Sequence, residues 1–180
     1  AFLSQGGEHG RRVVPEPAGQ LVGALRHSQL FDRRPARLLT AGSDVTNQKI
    51  YTTGSIAYAA NALVTIAVIG HTSTAASASP TITGAGLTWV EVTTTTFNST
   101  ATPLKRMSIF RAMSPSAGSG PLTISFPTTE SNAAWIVSQW TGVDQTGTNG
   151  SGAVGTIATP SRSDAATSIN ATLAALSSPN

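Results

Sequence analysis

The sequence contains no cysteine and little charge: only 11% of its 180 residues are charged, whereas an ordinary soluble domain has about 25%. The absence of cysteine excludes a small fold held together by disulfide bonds, a thiolate metal site and a cysteine nucleophile. No apolar run approaches the roughly 18 residues that a transmembrane helix needs, so no membrane span is expected. The length suits one domain, or one domain that carries an arm.

The few charges are unevenly placed along the chain. Residues 1–40 contain six arginines and three acidic residues, so they carry the whole net charge of +3. Residues 41–180 contain five basic and five acidic residues and are therefore neutral. A neutral surface rich in serine and threonine has little long-range field to repel copies of itself. This distribution predicts a body that packs against other protein surfaces and an N-terminal segment with a separate role.

Residues 1–44 are predicted to be an extended basic N-terminal arm. The first residues have no hydrophobic periodicity, while Pro17 favours a short helix over Ala18–Phe31. Its apolar pieces Val13-Val14 and Leu38-Leu39 are suited to supply a strand to a neighbouring subunit. The alternatives are an arm that folds back on its own subunit and an arm without fixed structure. The residues expected to act in assembly are Arg11, Arg12, Val13, Val14, Arg33, Arg34 and Arg37.

Residues 45–180 are predicted to form one antiparallel β-sandwich domain, so the fold class is all-β. Runs rich in Val, Ile, Thr and aromatic residues alternate there with Gly, Pro, Ser and Asn clusters. Leu63–Ile69 is apolar on both faces, which predicts a central, covered strand. Residues 84–86 and 118–121 are predicted turns. The predicted strands are Lys49–Thr53, Ala62–Ile69, Thr81–Thr83, Leu87–Thr96, Leu104–Ala112, Leu122–Phe126, Ala133–Thr141, Val154–Thr159 and Ser168–Leu173.

Five stretches of the body carry a resemblance to known proteins: Asn61–Val64, Pro80–Trp89, Arg106–Ala112, Leu122–Phe126 and Gly142–Asp144. They resemble β-sandwich segments of phage structural proteins and bacterial surface proteins. The resemblance covers about residues 50–178 and implies a jelly-roll-like sandwich without catalytic residues. In such segments a further apolar strand usually follows the stretch that matches Ser168–Leu173, and here none follows. Either the strand near Ile50 completes the sandwich, or an edge is open to another chain.

Histidine is too scarce to suggest acid–base chemistry. His9 and His27 lie in the arm, and His71 lies at the end of a predicted strand. A general base at His71 is one interpretation, and a hydrogen-bonded loop histidine is the favoured one. No G-x-S-x-G elbow is present, although a Ser–His–Asp set remains an alternative.

The carboxylates of the body are also sparse. A glycosidase pair would have to come from Glu91, which lies on a predicted strand, or from Glu130, Asp144 and Asp164, which lie in predicted turns. The stretch Asp144–Gly150 resembles a Ca²⁺ loop, but it has one carboxylate and lacks the closing bidentate Glu. A turn in which Asp and Asn bind their own backbone is favoured. We therefore expect no enzyme activity, no metal and no cofactor.

Two binding functions remain to be weighed. The cluster Arg33–Arg37 is basic, but a charge of +3 without interleaved aromatic residues is too weak to predict nucleic-acid binding. Trp135 and Trp140 differ by an odd number, so they should face opposite sides of one strand, one in the core and one partly exposed. Trp140 is therefore the candidate contact for a sugar or for another subunit.

Together these features predict a noncatalytic structural protein that self-associates through its sandwich and its N-terminal arm. The favoured form is a bacteriophage virion component, such as a capsid decoration or tail protein, whose partners are copies of itself and other virion proteins. The expected location is a virion or an extracellular or cell surface. The alternatives are a subunit of an extracellular filament polymerised by strand exchange and a carbohydrate-binding module of a surface adhesin.

Overall fold

A computed structural model describes residues 37–97, 102 and 104–158. More than half of these residues lie in β-strands, so the predicted all-β class is confirmed. Among them, a single 3-10 helix, η1 (Thr148–Ala153), follows the last strand. The strands are β1 (Arg37–Asp44), β2 (Gln48–Thr52), β3 (Ile56–Tyr58), β4 (Ala62–His71), β5 (Thr81–Gly84), β6 (Val90–Phe97), β7 (Lys105–Ser114), β8 (Gly118–Gly120), β9 (Leu122–Glu130) and β10 (Asn132–Thr141).

The described strands pair antiparallel in three sheets. Five of them form the largest sheet in the order β1-β10-β4-β7-β6. A second sheet has the order β2-β9-β5, and β3 pairs with β8. Strand β4 therefore lies in the middle of the five-stranded sheet, as the apolar run Leu63–Ile69 predicted.

The sheets share one hydrophobic core. Alternate residues of β4 point inward, so Val64, Ile66 and Val68 are buried against Leu122 and Ile124 of β9. Burying one such aliphatic side chain stabilises the fold by about 1.5–3 kcal/mol. Because all three sheets contribute to the core cluster, the arrangement is compatible with a β-sandwich. The jelly-roll-like connectivity stays a prediction.

Three strands were missed, namely β1, β3 and β8, and one predicted strand is wrong. Gly118–Gly120, predicted as a turn, is strand β8 and pairs with β3. A side chain at Gly118 would collide with the Tyr58 hydroxyl, so the glycine lets the two strands approach. The predicted strand Val154–Thr159 does not form over residues 154–158, because η1 precedes it and the Val154 amide bonds back to Ser151.

The described part of the predicted arm begins at Arg37. Residues 37–44, the last part of the predicted arm, form β1 and pair with β10. The predicted helix and the assembly residues from Arg11 to Arg34 lie outside the described residues, as does the predicted strand Ser168–Leu173. In the part of the chain that the structure describes, no helix is long and apolar enough to cross a membrane.

Candidate assembly surface

The five-stranded sheet has an outer face, formed by the side chains that point away from the core. On β10 these side chains belong to Ala134, Ile136, Ser138 and Trp140, because their alternates Ala133, Val137 and Gln139 are buried. Three large apolar residues of this face are exposed to solvent: Leu38 by 57%, Ile136 by 47% and Trp140 by 42%. We refer to these three residues as the apolar patch.

The pairing of β1 with β10 brings the patch together. Leu38 lies opposite Ser138, so it is the diagonal neighbour of both Ile136 and Trp140. Diagonal neighbours on one face of an antiparallel pair lie about 7–8 Å apart, within reach of long side chains. Ala41, opposite Ile136, extends the same row with a small apolar side chain. The three exposed side chains are therefore contiguous and not scattered.

Trp140 is held in place by a hydrogen bond. Its indole Nε1 donates to the Thr65 hydroxyl oxygen of β4 at 3.1 Å. Because the one polar atom of the indole is already satisfied, the exposed ring offers mainly apolar surface. Trp135 points the other way and packs against the core, 6.5 Å between ring centroids from Tyr51. The alternation of the two tryptophans is as predicted.

One corner of the outer face is covered by η1. The Arg111 Nε of β7 donates to the Asn149 carbonyl at 3.1 Å, which ties η1 to the sheet. Gly150 has a positive φ of 74° and lies against Leu63 and Met113, where a side chain would collide with both. The charged group of Arg111 is thereby engaged within the subunit. The apolar patch itself contains no charged residue.

Strands β1 and β6 are the edges of this sheet in the described part of the chain. An edge strand presents backbone N–H and C=O groups that another strand can pair with. A bulge between Leu38 and Thr40 interrupts the regular pairing of β1 with β10. Arg37 begins β1 opposite Gln139 and is exposed, so this assembly candidate lies beside the apolar patch.

Glu130, which was predicted to be a turn carboxylate, is the last residue of β9, and its carboxyl group is buried. Glu130 is only 1% exposed, and its carboxylate accepts a hydrogen bond from the Ser77 hydroxyl. Burial raises the pKa of Glu130, although the Ser77 hydrogen bond and the nearby His71 and Arg106 oppose that rise. The Tyr51 hydroxyl donates to the Glu130 carbonyl at 3.1 Å, so the turn after β9 is fixed to β2.

A cleft of about 390 Å³ lies beside this carboxyl group, lined mainly by hydroxyl side chains from residues 72–77 and 128–131. The Ser77 hydroxyl bonds to Glu130, while His71 Nδ1 lies 3.1 Å from Asn132 Nδ2. His71 is thus hydrogen-bonded, as the sequence favoured, but it is the last residue of β4 and not a loop residue. The Ser77 hydroxyl therefore pairs with the Glu130 carboxylate and not with the His71 imidazole.

The loop that resembled a calcium site is a turn. Asp144 Oδ1 accepts from the Thr146 amide at 2.8 Å, and this hydrogen bond lowers the pKa of Asp144. The same contact occurs between Asp44 and Thr46 in the turn after β1. Among the described residues, no three His, Asp or Glu side chains converge in a way that would hold a metal ion.

Comparison of this chain with protein-family models, with curated proteins and with solved structures finds no match. Its function must therefore be inferred from the contacts, exposure and charge of the described residues.

Trp140 was predicted from its alternation with Trp135, but no role was predicted for Ile136. The spacing of four residues between Ile136 and Trp140 on one strand is a signal that both face the same side.

Proposed function

We propose that this protein is a noncatalytic structural protein that self-associates through its β-sandwich. The observation that carries the proposal is the apolar patch of Leu38, Ile136 and Trp140 on the outer face. Contiguous exposed apolar surface on a soluble protein is typical of a protein interaction site. Tryptophan is also among the residue types most enriched at the positions that dominate binding energy at interfaces.

The charge distribution supports self-association. Residues 41–180 carry five basic and five acidic residues, so two bodies approach each other without net repulsion. The proposed setting is a bacteriophage virion, as a capsid decoration or tail protein with a jelly-roll-like sandwich. This finer assignment depends on the resemblance of residues 50–178 to phage structural segments. A filament subunit joined through the edges β1 and β6 is the second assembly candidate.

Sugar binding by Trp140 receives less support. A sugar site combines an aromatic face with polar groups that bond the hydroxyls of the ligand. Here the indole Nε1 is already bonded to Thr65, and the neighbours Leu38 and Ile136 are aliphatic. The surroundings of Trp140 therefore favour a protein partner over a carbohydrate.

Light scattering after size-exclusion chromatography tests the assembly proposal. The full chain is expected to show a mass above that of the monomer, and the mass should fall on dilution. Removal of residues 1–36 tests the arm, and the deletion must stop before Arg37 because β1 begins there. A weaker assembly is expected without residues 1–36. A monomeric mass for the full chain at every concentration would contradict the proposal.

A glycan screen addresses the carbohydrate alternative. Binding that is lost in the variant Trp140→Ala but kept in Ile50→Ala would favour a sugar site. Ile50 is the matched control, because it is an exposed apolar residue on β2, in the other sheet. We expect no glycan to bind through Trp140.

A further inference from the structure

We infer that the apolar patch is a twofold interface, on which a second copy of this chain packs its own Leu38, Ile136 and Trp140. This inference rests on the proposed self-association and names the surface and the symmetry through which it occurs. In such an interface the same patch serves both subunits, so it must be complementary to itself. Three features of the molecule support a self-complementary patch. They are the charge of the patch, the area of the outer face, and the placement of the other exposed apolar residues.

The charge of the patch suits a copy of itself. None of its three residues is charged, and their outer-face neighbours Ala41 and Ser138 are neutral. Two basic residues of the outer face, Lys105 and Arg111, lie on β7, which is two strands away from β10. Arg37, beside the patch, lies opposite the inward-facing Gln139, so its side chain belongs to the other face of the sheet. The patch residues of two copies therefore meet without like charges opposite each other, which would cost affinity.

The size of the outer face is sufficient for a stable dimer. Strands β4, β7 and β10 have ten residues each, and the sheet is five strands wide. With about 3.3 Å per residue and about 4.8 Å between strands, the face measures on the order of 800 Å². A standard interface buries about 800 Å² per partner, and about 500 Å² suffices for a specific one. The 3-10 helix η1 covers Leu63, which lies opposite Trp140 and is only 5% exposed, so η1 borders the patch but leaves its three residues exposed.

The placement of the other exposed apolar residues favours twofold pairing over head-to-tail assembly. A head-to-tail contact needs a second, different surface that complements the patch. Among the described residues, the other exposed large apolar side chains are Val45, Ile50 and Ile157. They belong to three different segments, namely the turn after β1, strand β2 and the stretch after η1. Among the exposed large apolar side chains of the described residues, Leu38, Ile136 and Trp140 are the ones that strand pairing places side by side, so the patch matches best with another copy of itself.

The geometry follows from ordinary sheet packing. Two stacked sheets lie about 10 Å apart with their strands about 30° from parallel. The Trp140 ring is fixed by Thr65, so little side-chain freedom is lost when the second copy binds. Ser138 lies between Ile136 and Trp140 on β10 and opposite Leu38, so it marks the centre of the patch.

Cross-linking through single cysteines tests the inference in the full chain. The protein has no cysteine, so Ser138→Cys introduces a unique thiol at the centre of the patch. A short bismaleimide is expected to join the introduced thiols of two Ser138→Cys chains into a covalent dimer. Thr52→Cys is the matched control, because this exposed residue lies on β2 in the other sheet and is expected to give little dimer.

A second measurement uses the dimer dissociation constant from sedimentation. Trp140→Ser should weaken dimerisation at least about 30-fold, the loss typical of a central interface tryptophan. Ile50→Ser should leave the dissociation constant unchanged.

The outcomes separate this inference from the proposed function. A full chain that stays monomeric at every concentration overturns both. A full chain that assembles, while Ser138→Cys fails to cross-link and Trp140→Ser has no effect, overturns only the twofold interface. If the thiol of the Ser138→Cys variant is inaccessible to a thiol reagent in the monomer, a segment of the same chain covers the patch, which also overturns it. The twofold interface would be supported if Ser138→Cys gave covalent dimers while Thr52→Cys gave few, and if Trp140→Ser weakened dimerisation.

Discussion

Gly70 on β4 lies under the ring of Phe126 and the carboxyl group of Glu130. A Cβ atom at this position would stand 2.6 Å from Phe126 Cε1 and 2.8 Å from Glu130 Oε2. Unbonded carbon atoms attract best at about 3.5–4.0 Å, so the added methyl would overlap the ring by about 1 Å. We therefore predict that Gly70→Ala destabilises the protein by overpacking.

The expected cost is about 1–3 kcal/mol, the range measured when extra methyl groups are forced into packed cores. Values near the top of that range are expected, because an aromatic ring cannot bend and the Glu130 carboxylate is held by Ser77. For a chain of this size each kcal/mol lowers Tm by about 2–4 °C. Urea unfolding followed by tryptophan fluorescence gives the free energy of unfolding, and calorimetry gives Tm.

Gly54→Ala is the matched control for this substitution. No heavy atom beyond its chain neighbours lies within 4 Å of the position of its Cβ, and Gly54 is exposed. Ala there is expected to leave stability unchanged or to raise it by about 0.4–1 kcal/mol, because it restricts the unfolded chain. If Gly70→Ala unfolded at the same urea concentration as the wild type, the packing described for this end of the sandwich would be refuted.

Three further predictions concern stability. Burial raises the pKa of Glu130, so the folded state binds the proton of this carboxyl group more tightly than the unfolded state does. The protonated Glu130 therefore adds to the free energy of unfolding below the ordinary pKa of 4.5, and this contribution is lost as pH rises through the raised pKa. Glu130→Gln keeps an acceptor for Ser77 and should remove the fall in the free energy of unfolding, measured in urea, between acid and neutral pH. An unchanged pH profile would contradict the assignment of this fall to Glu130. Gly150→Ala should lower the free energy of unfolding, measured by thermal unfolding, by about 1–2 kcal/mol, because φ is 74° there and alanine is disfavoured in this left-handed region. An unchanged stability would argue against this conformation. Tyr58→Phe should cost about 0.5–1.5 kcal/mol in urea, since its hydroxyl donates to the Ala85 carbonyl at 2.5 Å; an equal midpoint would contradict the bond.

The fold class was predictable because the hydrophobic pattern is local. The run Leu63–Ile69 has no polar face, so a central strand was the simplest interpretation, and β4 is central. Strands β3 and β8 were not predictable in this way. Gly118–Gly120 has no β-propensity of its own, and it becomes a strand because Ile56–Tyr58 lies beside it.

The candidate surface was predictable only in part. The odd spacing of Trp135 and Trp140 indicated that one ring faces outward, which needs no knowledge of tertiary structure. The contribution of Leu38 depends on the pairing of β1 with β10, which joins residues about a hundred positions apart and has no local signal. Glu130 was interpreted as a turn carboxylate, because the sequence does not show that Ser77 and Tyr51 bury it.

The central claim is that the chain associates with copies of itself through Leu38, Ile136 and Trp140. Sedimentation equilibrium of the full chain, compared with Trp140→Ser and Ile50→Ser at the same high concentration, tests it most directly. The wild type and Ile50→Ser are expected to have the mass of a dimer or larger, and Trp140→Ser a mass close to that of the monomer. A monomeric wild type, or a Trp140→Ser variant that assembles as well as the wild type, would contradict it.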